Sequence, residues 1–305
     1  MQQPHIVPYS EVWKADVERL CARIWGPERQ QYRYGGYMEV DTGGTKEPSS
    51  YVALLGDQVL GFCTMWRNLF HPMALYFTVA VRPGWERRGI GGRLLEHVAG
   101  RKPAHLRLQT SLWDMSVSGR AFLNKHGFLG IRWTYETSCA VASAAGMERC
   151  DDSLPRDGAA IIAYSRLDPG ERQAMALLSR QCYAETHTVN PLGEIDVTRW
   201  SELIESDLMA EGSFAVMKNH NVIAYALMHR REAGAAELGW RGVCAGEREH
   251  TRRWIVDLTA RQVRYAKQLG LERLYSEIDT TDVWALPMLD FFPFEPVPAW
   301  VTYQR

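Results

Sequence analysis

The chain has 305 residues, 46% of them hydrophobic, which fits two globular domains with real cores. Its formal net charge of −1 excludes bulk attraction to nucleic acid or a membrane surface, and no apolar run approaches membrane-spanning length. The cysteines (Cys21, Cys63, Cys139, Cys150, Cys182 and Cys244) form no C-x-x-C or Cys/His pair at metal-ligand spacing, so no metal is expected. The N-terminus lacks the basic and apolar regions of a signal peptide, and a reducing, cytoplasmic setting is the default expectation.

In chain order, His5–Tyr9 reads as a short strand. Ser10 is placed to cap a helix with Val12, Val17, Leu20 and Ile24 on one stripe. Residues 27–50 are polar and Tyr/Gly-rich, and read as an irregular loop facing a substrate. Tyr51–Leu55 and Val59–Trp66, joined through Gly56-Asp57, read as a hairpin, and Leu75–Val81 as a further strand. A helix from Ile90 to near Gly100 follows, then a strand over Leu106–Leu112 and a short helix over Val117–His126 closed by Gly127. Trp133–Val141 is a strand, and the small, polar residues 142–158 read as a linker.

The order then repeats. Ala160–Tyr164 is a strand, and Asp168-Pro169 opens a helix to Thr186. Phe214–Met217 and Val222–Met228 form a hairpin about a polar turn. Ala236–Val243, a helix over Trp254–Leu269, Leu274–Ile278, a short helix over Val283–Phe291 and Pro298–Tyr303 complete the second half. One element order used twice points to duplication, with domains at 1–150 and 151–305.

The most informative stretch is Thr78–Leu95, a strand, a tight turn and a helix. Pro83-Gly84 ends the strand, and Gly89, Gly91 and Gly92 fall where the helix must begin. Without a Cβ, glycine lets backbone N–H groups lie against a ligand. The first N–H groups of a helix lack partners within it and, with the helix dipole, favour phosphate oxygens. Arg87 and Arg88 add positive charge. The stretch is therefore a candidate diphosphate cradle. It is not a P-loop, because no Gly-Lys-Ser/Thr follows, and Leu94 stands where a dinucleotide fingerprint needs its third glycine.

The hexad Glu86-Arg-Arg-Gly-Ile-Gly91 after an apolar strand resembles the acetyl-CoA motif of GNAT superfamily N-acetyltransferases, Gln/Arg-x-x-Gly-x-Gly/Ala. Glu86 departs from the pattern, and its carboxylate must point away from a diphosphate. Phe122-Leu-Asn-Lys-His-Gly-Phe128 is similar to the superfamily's Phe-Tyr-x-x-x-Gly-Phe. Met288–Tyr303 is similar to the end of the second half in tandem members. The resemblance implies an α/β (α+β) fold of two tandem GNAT-like domains, each a mixed, mostly antiparallel twisted sheet flanked by helices. It implies an acetyl-CoA-dependent N-acetyltransferase that moves an acetyl group to a primary amine of a small molecule or peptide by direct attack.

On that resemblance, the pantetheine of acetyl-CoA, the co-substrate, pairs with Val79, Ala80 and Val81. The loop Arg87, Arg88, Gly89, Ile90, Gly91 and Gly92 holds the diphosphate. Ser116 stands where the superfamily often has a hydrogen-bonding Asn, and Leu123 replaces the tyrosine that often serves as general acid. The candidate base is Asp114, which otherwise caps the next helix. The candidate acid is Tyr76, which otherwise belongs to the core; His71, His126 and Tyr135 are further candidates. In the second half, alignment of Val243 with Val81 puts Thr251 and Arg253 in place of two glycines, so that half reads as structural or substrate-shaping. The competing reading has Arg248, His250, Arg252 and Arg253 hold phosphate there by charge. A CoA-binding or sensing protein of little or no turnover is the alternative function. The expected partner is the amine substrate, with no nucleic acid and no membrane, and the expected state is a monomer, with a homodimer as the alternative.

Overall fold

The computed structural model describes residues 3–25, 49–145, 158–232 and 234–305. Of the loop read over 27–50 and the linker read over 142–158, residues 27–48 and 146–157 lie outside the described residues, as does Cys150, while Ser50 already belongs to a strand.

In chain order the elements are β1 (His5–Pro8), α1 (Lys14–Trp25), β2 (Ser50–Leu55), β3 (Gln58–Arg67), β4 (Ala74–Val81), α2 (Ile90–Ala99), β5 (Arg107–Trp113) and α3 (Val117–Lys125). There follow β6 (Leu129–Ala140), α4 (Val141–Ala145), β7 (Ala159–Ala163), α5 (Pro169–Thr186), α6 (Val197–Glu205), β8 (Phe214–Lys218) and β9 (Asn221–Arg230). The chain ends with β10 (Ala235–Val243), α7 (Thr251–Gln268), β11 (Arg273–Asp279), α8 (Leu286–Phe291) and β12 (Trp300–Gln304). The fold is mixed α/β and mostly antiparallel.

The chain forms two compact units. One comprises the chain up to Ile131 with Trp300–Arg305, the other Arg132–Ala299. They differ from a division at residue 150 in the placing of two strands. β6 precedes residue 150 yet pairs along seven residues with β11, and β12 closes the chain yet pairs along five residues with β5.

In the first unit the strand order is β1-β2-β3-β4-β5-β12. Alternation along the strands sends Tyr51, Phe77, Leu108, Val301 and Tyr303 to one face, where Ile90, Leu94 and Val98 of α2 and Leu123 of α3 cover them. Val52, Leu54, Phe62 and Ala80 face the other way, under Val17, Leu20 and Cys21 of α1. Gly127, at φ 77°, ends α3 as expected, and Phe128 N–H donates back to Leu123 O. Ser10 makes no side-chain cap bond. The chain takes a short 3-10 turn over Glu11–Trp13 before α1, and this leaves Val12 71% exposed, off the buried stripe.

In the second unit the order is β6-β11-β10-β9-β8-β7. The Asp168-Pro169 signal gives a full capping box. The Asp168 carboxylate accepts Glu171 N–H at 2.8 Å and the Glu171 carboxylate accepts Asp168 N–H at 2.9 Å. Asn219 and His220, both at positive φ, make the two-residue turn between β8 and β9. Two helices were not read from the sequence: α6, capped by Asp196, and α4, at the start of the expected linker. α8 starts later than expected, because the Asp282 carboxylate takes Trp284 N–H and Ala285 N–H in a tight turn.

Candidate active site

The site in the first unit begins where two parallel strands part. β4 pairs with β5 only at Ala74–Tyr76 against Arg107–Gln109. Beyond Tyr76, β4 runs on to Val81 bonded to β3 alone, while β5 runs on to Trp113 bonded to β12. The edge of Phe77–Val81 that faces β5 therefore has no strand partner among the described residues. A main-chain edge of that kind is completed by water or by a ligand. Val79, Ala80 and Val81, the residues singled out for pantetheine, lie on it.

The fork leads into the turn. Arg82 N–H donates to Leu60 O at 2.8 Å, and Trp85 N–H to Arg82 O at 2.9 Å. Glu86 folds back so that its carboxylate accepts Gly84 N–H at 2.7 Å, which commits the charge to the strand side of the turn. Arg87, at φ 60°, holds a left-handed conformation that few non-glycine residues adopt. Gly89 at φ 82° then starts α2 with no capping side chain. The first bond of the α2 ladder is from Arg93 N–H to Gly89 O, so the N–H groups of Ile90, Gly91 and Gly92 precede it without a partner among the described residues. Arg88 lies over the Trp85 ring, 4.6 Å from its centroid. Backbone N–H donors thus open α2 directly after two consecutive arginines in the chain.

The glycines there differ in purpose. A Cβ on Gly89 would meet nothing within 4 Å, so the positive φ alone calls for glycine. A Cβ on Gly91 would stand 3.2 Å from the Phe122 ring and 3.4 Å from Val81, and one on Gly92 3.6 Å from the His126 ring. Phe122 and His126, one turn apart on α3 with ring centroids 4.6 Å apart, pack on the first turn of α2. The sequence pattern carried no sign of that packing.

The catalytic candidates fall as follows. Tyr76 is the last residue before the fork, opposite Gln109, 2% exposed and stacked on Trp66 at 5.8 Å. Asp114 follows β5 and does not cap α3. The cap position belongs to Ser116, whose N–H donates to Trp113 O at 2.9 Å and whose hydroxyl makes no cap bond. Asp114 Oδ1 is buried without a hydrogen-bond partner, while the Asp114 main-chain oxygen accepts from Arg120 at 2.8 Å. Leu123 is buried in the α2/α3 core. His71 is buried, and Tyr135 lies on β6 in the second unit, opposite Ile278. A polar face on the β5–β12 pair was not anticipated; Arg107 Nη1 donates to Gln304 Oε1 on it at 3.3 Å. It holds a Ser111–Thr302 hydroxyl pair at 3.1 Å and a Gln304–Gln109 amide bond at 2.6 Å, on the face opposite Leu108, Val301 and Tyr303. Its signal lay in β12, nearly two hundred residues along the chain from its partner.

The second unit has the same fork, because β10 pairs with β11 only at Ala235–Glu237 against Arg273–Tyr275. Its turn is made differently. Arg248 is bound to Glu185 at 2.6 Å and Arg252 to Asp290 at 3.2 Å. Glu247 takes Lys218 at 2.7 Å and the Trp254 indole at 3.4 Å, and the Lys218 bond is the main reason its carboxyl is held below the ordinary value. A cavity of about 830 Å³ opens beside Arg248, Thr251, Glu185 and Trp284. Burial pushes Asp282 up to about 6, against the Ala285 and Trp284 N–H donors and the pull of Arg241, and brings Arg241 down to about 10.

Residues 46–128 match the family model described as an acetyltransferase (GNAT) domain. That segment, from just before β2 to just past the end of α3, is similar to GNAT acetyltransferase domains. Solved structures extend the likeness in fold to the whole chain. A GCN5-related N-acetyltransferase from Sphaerobacter thermophilus superposes with a TM-score of 0.58 at 14% identity, over 100% of this chain and 96% of that one. A tandem GNAT protein from the clavulanic acid biosynthesis pathway gives 0.56 at 14% identity, over 99% and 98%. A GCN5-related glucosamine N-acetyltransferase region of a fungal multi-domain GH3 β-N-acetylglucosaminidase gives 0.63 at 11% identity, where this chain spans 38% of the other. No curated protein matches the sequence significantly. The fold is thus that of GNAT acyltransferases, and no helix among the described residues is long and apolar enough to cross a membrane.

Proposed function

We propose that the chain is an acetyl-CoA-dependent N-acetyltransferase, working in its first unit on the primary amine of a small molecule or peptide. The observation that carries this is the fork of β4 and β5 after Tyr76, which delivers an unpaired strand edge directly into the Gly89 helix mouth. An extended pantetheine arm would bond along Val79–Val81. Its diphosphate would rest on Arg87, Arg88, Gly89, Ile90, Gly91 and Gly92, with Ser116 beside the arm. A main-chain N–H of β4 would polarise the thioester carbonyl.

The amine nitrogen attacks that carbonyl carbon, the C–S bond breaks, and the acetyl group passes to nitrogen while CoA leaves as thiolate. Asp114, whose Oδ1 has no other hydrogen-bond partner, is the base that takes the ammonium proton. Tyr76, the last residue of β4 paired with β5, is our candidate for the acid that serves the thiolate. The near-zero net charge and the Arg107, Ser111/Thr302 and Gln109/Gln304 groups, none of them acidic, favour an acceptor with a neutral skeleton over a polycation. The five described cysteines are free, in keeping with a reducing, cytoplasmic setting, and we take the chain to act as a monomer.

One observation favours a second reading. Leu123, buried in the core, stands where the resemblance calls for an acid, which suits a CoA sensor without turnover. Calorimetric titration with acetyl-CoA followed by a thiol-release assay over a panel of amines decides between them. Binding with release on at least one amine is expected. Binding without release on any amine selects the sensor, and no binding refutes both.

A further inference from the structure

We propose that the Arg241 side chain is the resident occupant of the second unit's fork, so that the chain has one seat for a carrier thioester. The location of that seat rests on the reading of the first unit given above.

The strand itself makes room for this arginine. The register of β10 against β9 slips by one residue between Leu238 and Arg241, so the strand bulges at Gly239-Trp240. The bulge presents Gly239 O to the guanidinium, and Arg241 Nε and Nη2 donate to it at 3.3 and 3.2 Å. Arg241 Nη1 donates to Thr259 Oγ1 on α7 at 2.9 Å and lies 2.8 Å from Met288 Sδ on α8. One side chain therefore ties the forked strand to both helices on that face. Arg241 is only 3% exposed, and among the described residues no carboxylate is in salt-bridge contact with it. Its hydrogen bonds go to neutral oxygen acceptors, with Met288 Sδ beside it, while buried Asp282 acts on its charge at longer range.

The register gives the position its meaning. With Val243 set against Val81, Arg241 falls at the place of Val79, on the strand edge assigned to pantetheine in the first unit. The phosphate end is likewise self-satisfied. Arg248 and Arg252 carry their own carboxylates, and Thr251 Oγ1 donates to Arg248 O at 2.7 Å. In the first unit Arg87 and Arg88 have no carboxylate in salt-bridge contact among the described residues. A carrier entering the second unit would have to evict a buried arginine and break two ion pairs.

The test uses the full-length chain. Calorimetry with acetyl-CoA is expected to give one equivalent per chain, and two equivalents overturn the proposal. Arg241→Ala leaves a vacancy lined by Gly239 O, Thr259 Oγ1 and Met288 Sδ. Its melting temperature is expected to fall and to recover with millimolar ethylguanidine, which leaves the native chain unmoved. A variant that melts like the native chain, or gains nothing from the additive, overturns the proposal. Should Arg241→Ala not fold, Arg241→Met keeps most of the volume but loses the donors to Gly239 O and Thr259 Oγ1, and its melting temperature is expected to fall below that of the native chain; an unchanged melting temperature overturns the proposal. If the native chain binds no acetyl-CoA, the first-unit reading falls, and ethylguanidine rescue alone then upholds or overturns the plug.

Discussion

Replacing Gly89 by alanine tests the helix mouth most directly. Gly89 holds φ 82°, and a Cβ there would meet nothing within 4 Å, so the substitution adds no clash. Its whole cost is conformational, about 1–2 kcal/mol for an L residue in the left-handed region. If the turn keeps its shape, that cost appears as lost stability, a drop of a few degrees in melting temperature for a unit of this size. If the turn relaxes instead, stability survives but the N–H groups of Ile90–Gly92 turn away. About 1.4 kcal/mol of lost binding then weakens acetyl-CoA roughly tenfold. Asn at the same position visits the left-handed region more readily and is expected to recover part of either loss. Gly91→Ala is the control. Its backbone is helical, so alanine gains up to about 1 kcal/mol in propensity, against a methyl 3.2 Å from a half-buried Phe122 ring that can shift. Calorimetry and thermal melts on the three variants read both quantities. A Gly89→Ala protein that melts and binds like the native one would refute the argument that this turn is built for the ligand.

Two further substitutions probe single carboxylates. Asp114→Asn is expected to lower kcat at least ~100-fold while leaving acetyl-CoA affinity and melting temperature unchanged, since Oδ1 has no bond to lose; full turnover in steady-state kinetics removes Asp114 as the base. Asp282, raised by burial from 3.8 to about 6, holds its proton more tightly folded than unfolded. Its contribution is therefore complete below about pH 4 and lost as pH rises through about 6, a difference of roughly 3 kcal/mol. Asp282→Asn, which keeps an acceptor for Trp284 and Ala285 N–H, should match the native chain at pH 4 and exceed it in chemical denaturation above pH 6. A gap that does not change with pH contradicts this.

What could be read from the sequence was local. The hairpin of β2 and β3, the strand β4, the start of α2 at the glycines and the Asp168 cap with Pro169 after it are each set by a few neighbouring residues. The fork was not readable, because Phe77–Val81 looks like a continuation of Ala74–Tyr76. Only the partner strand distinguishes them, and that strand lies thirty residues on. Gly91 looked like a ligand-contact glycine and is also a packing glycine, a fact that depends on where α3 lands. Asp114 looked like a helix cap, but the chain turns at Trp113–Ser116 and hands that position to Ser116. α6 was a missed local signal, since Asp196 caps it and Trp200 and Ile204 are spaced for one buried face.

The placing of β12 has a consequence for how the chain can be cut. Val301 and Tyr303 lie in the same core as Leu94, Leu108 and Leu123, although the sequence puts them at the far end of the second half. Burying side chains of that size is worth about 1.5–3 kcal/mol each, so the pair contributes roughly 3–6 kcal/mol. Loss of β12 also bares the full edge of β5 from Gln109 to Trp113. A domain of this size is stable by only about 5–15 kcal/mol in total. A fragment of residues 1–150, which holds every residue proposed to seat acetyl-CoA, is therefore expected to lack a cooperative melt or to melt far below the full chain. The same fragment with residues 298–305 appended through a flexible linker long enough to reach β5 is expected to regain cooperativity and acetyl-CoA binding. Should the bare fragment melt and bind as the full-length protein does, the last strand would be an ornament on the first unit, and the site would be a property of the first half of the chain alone.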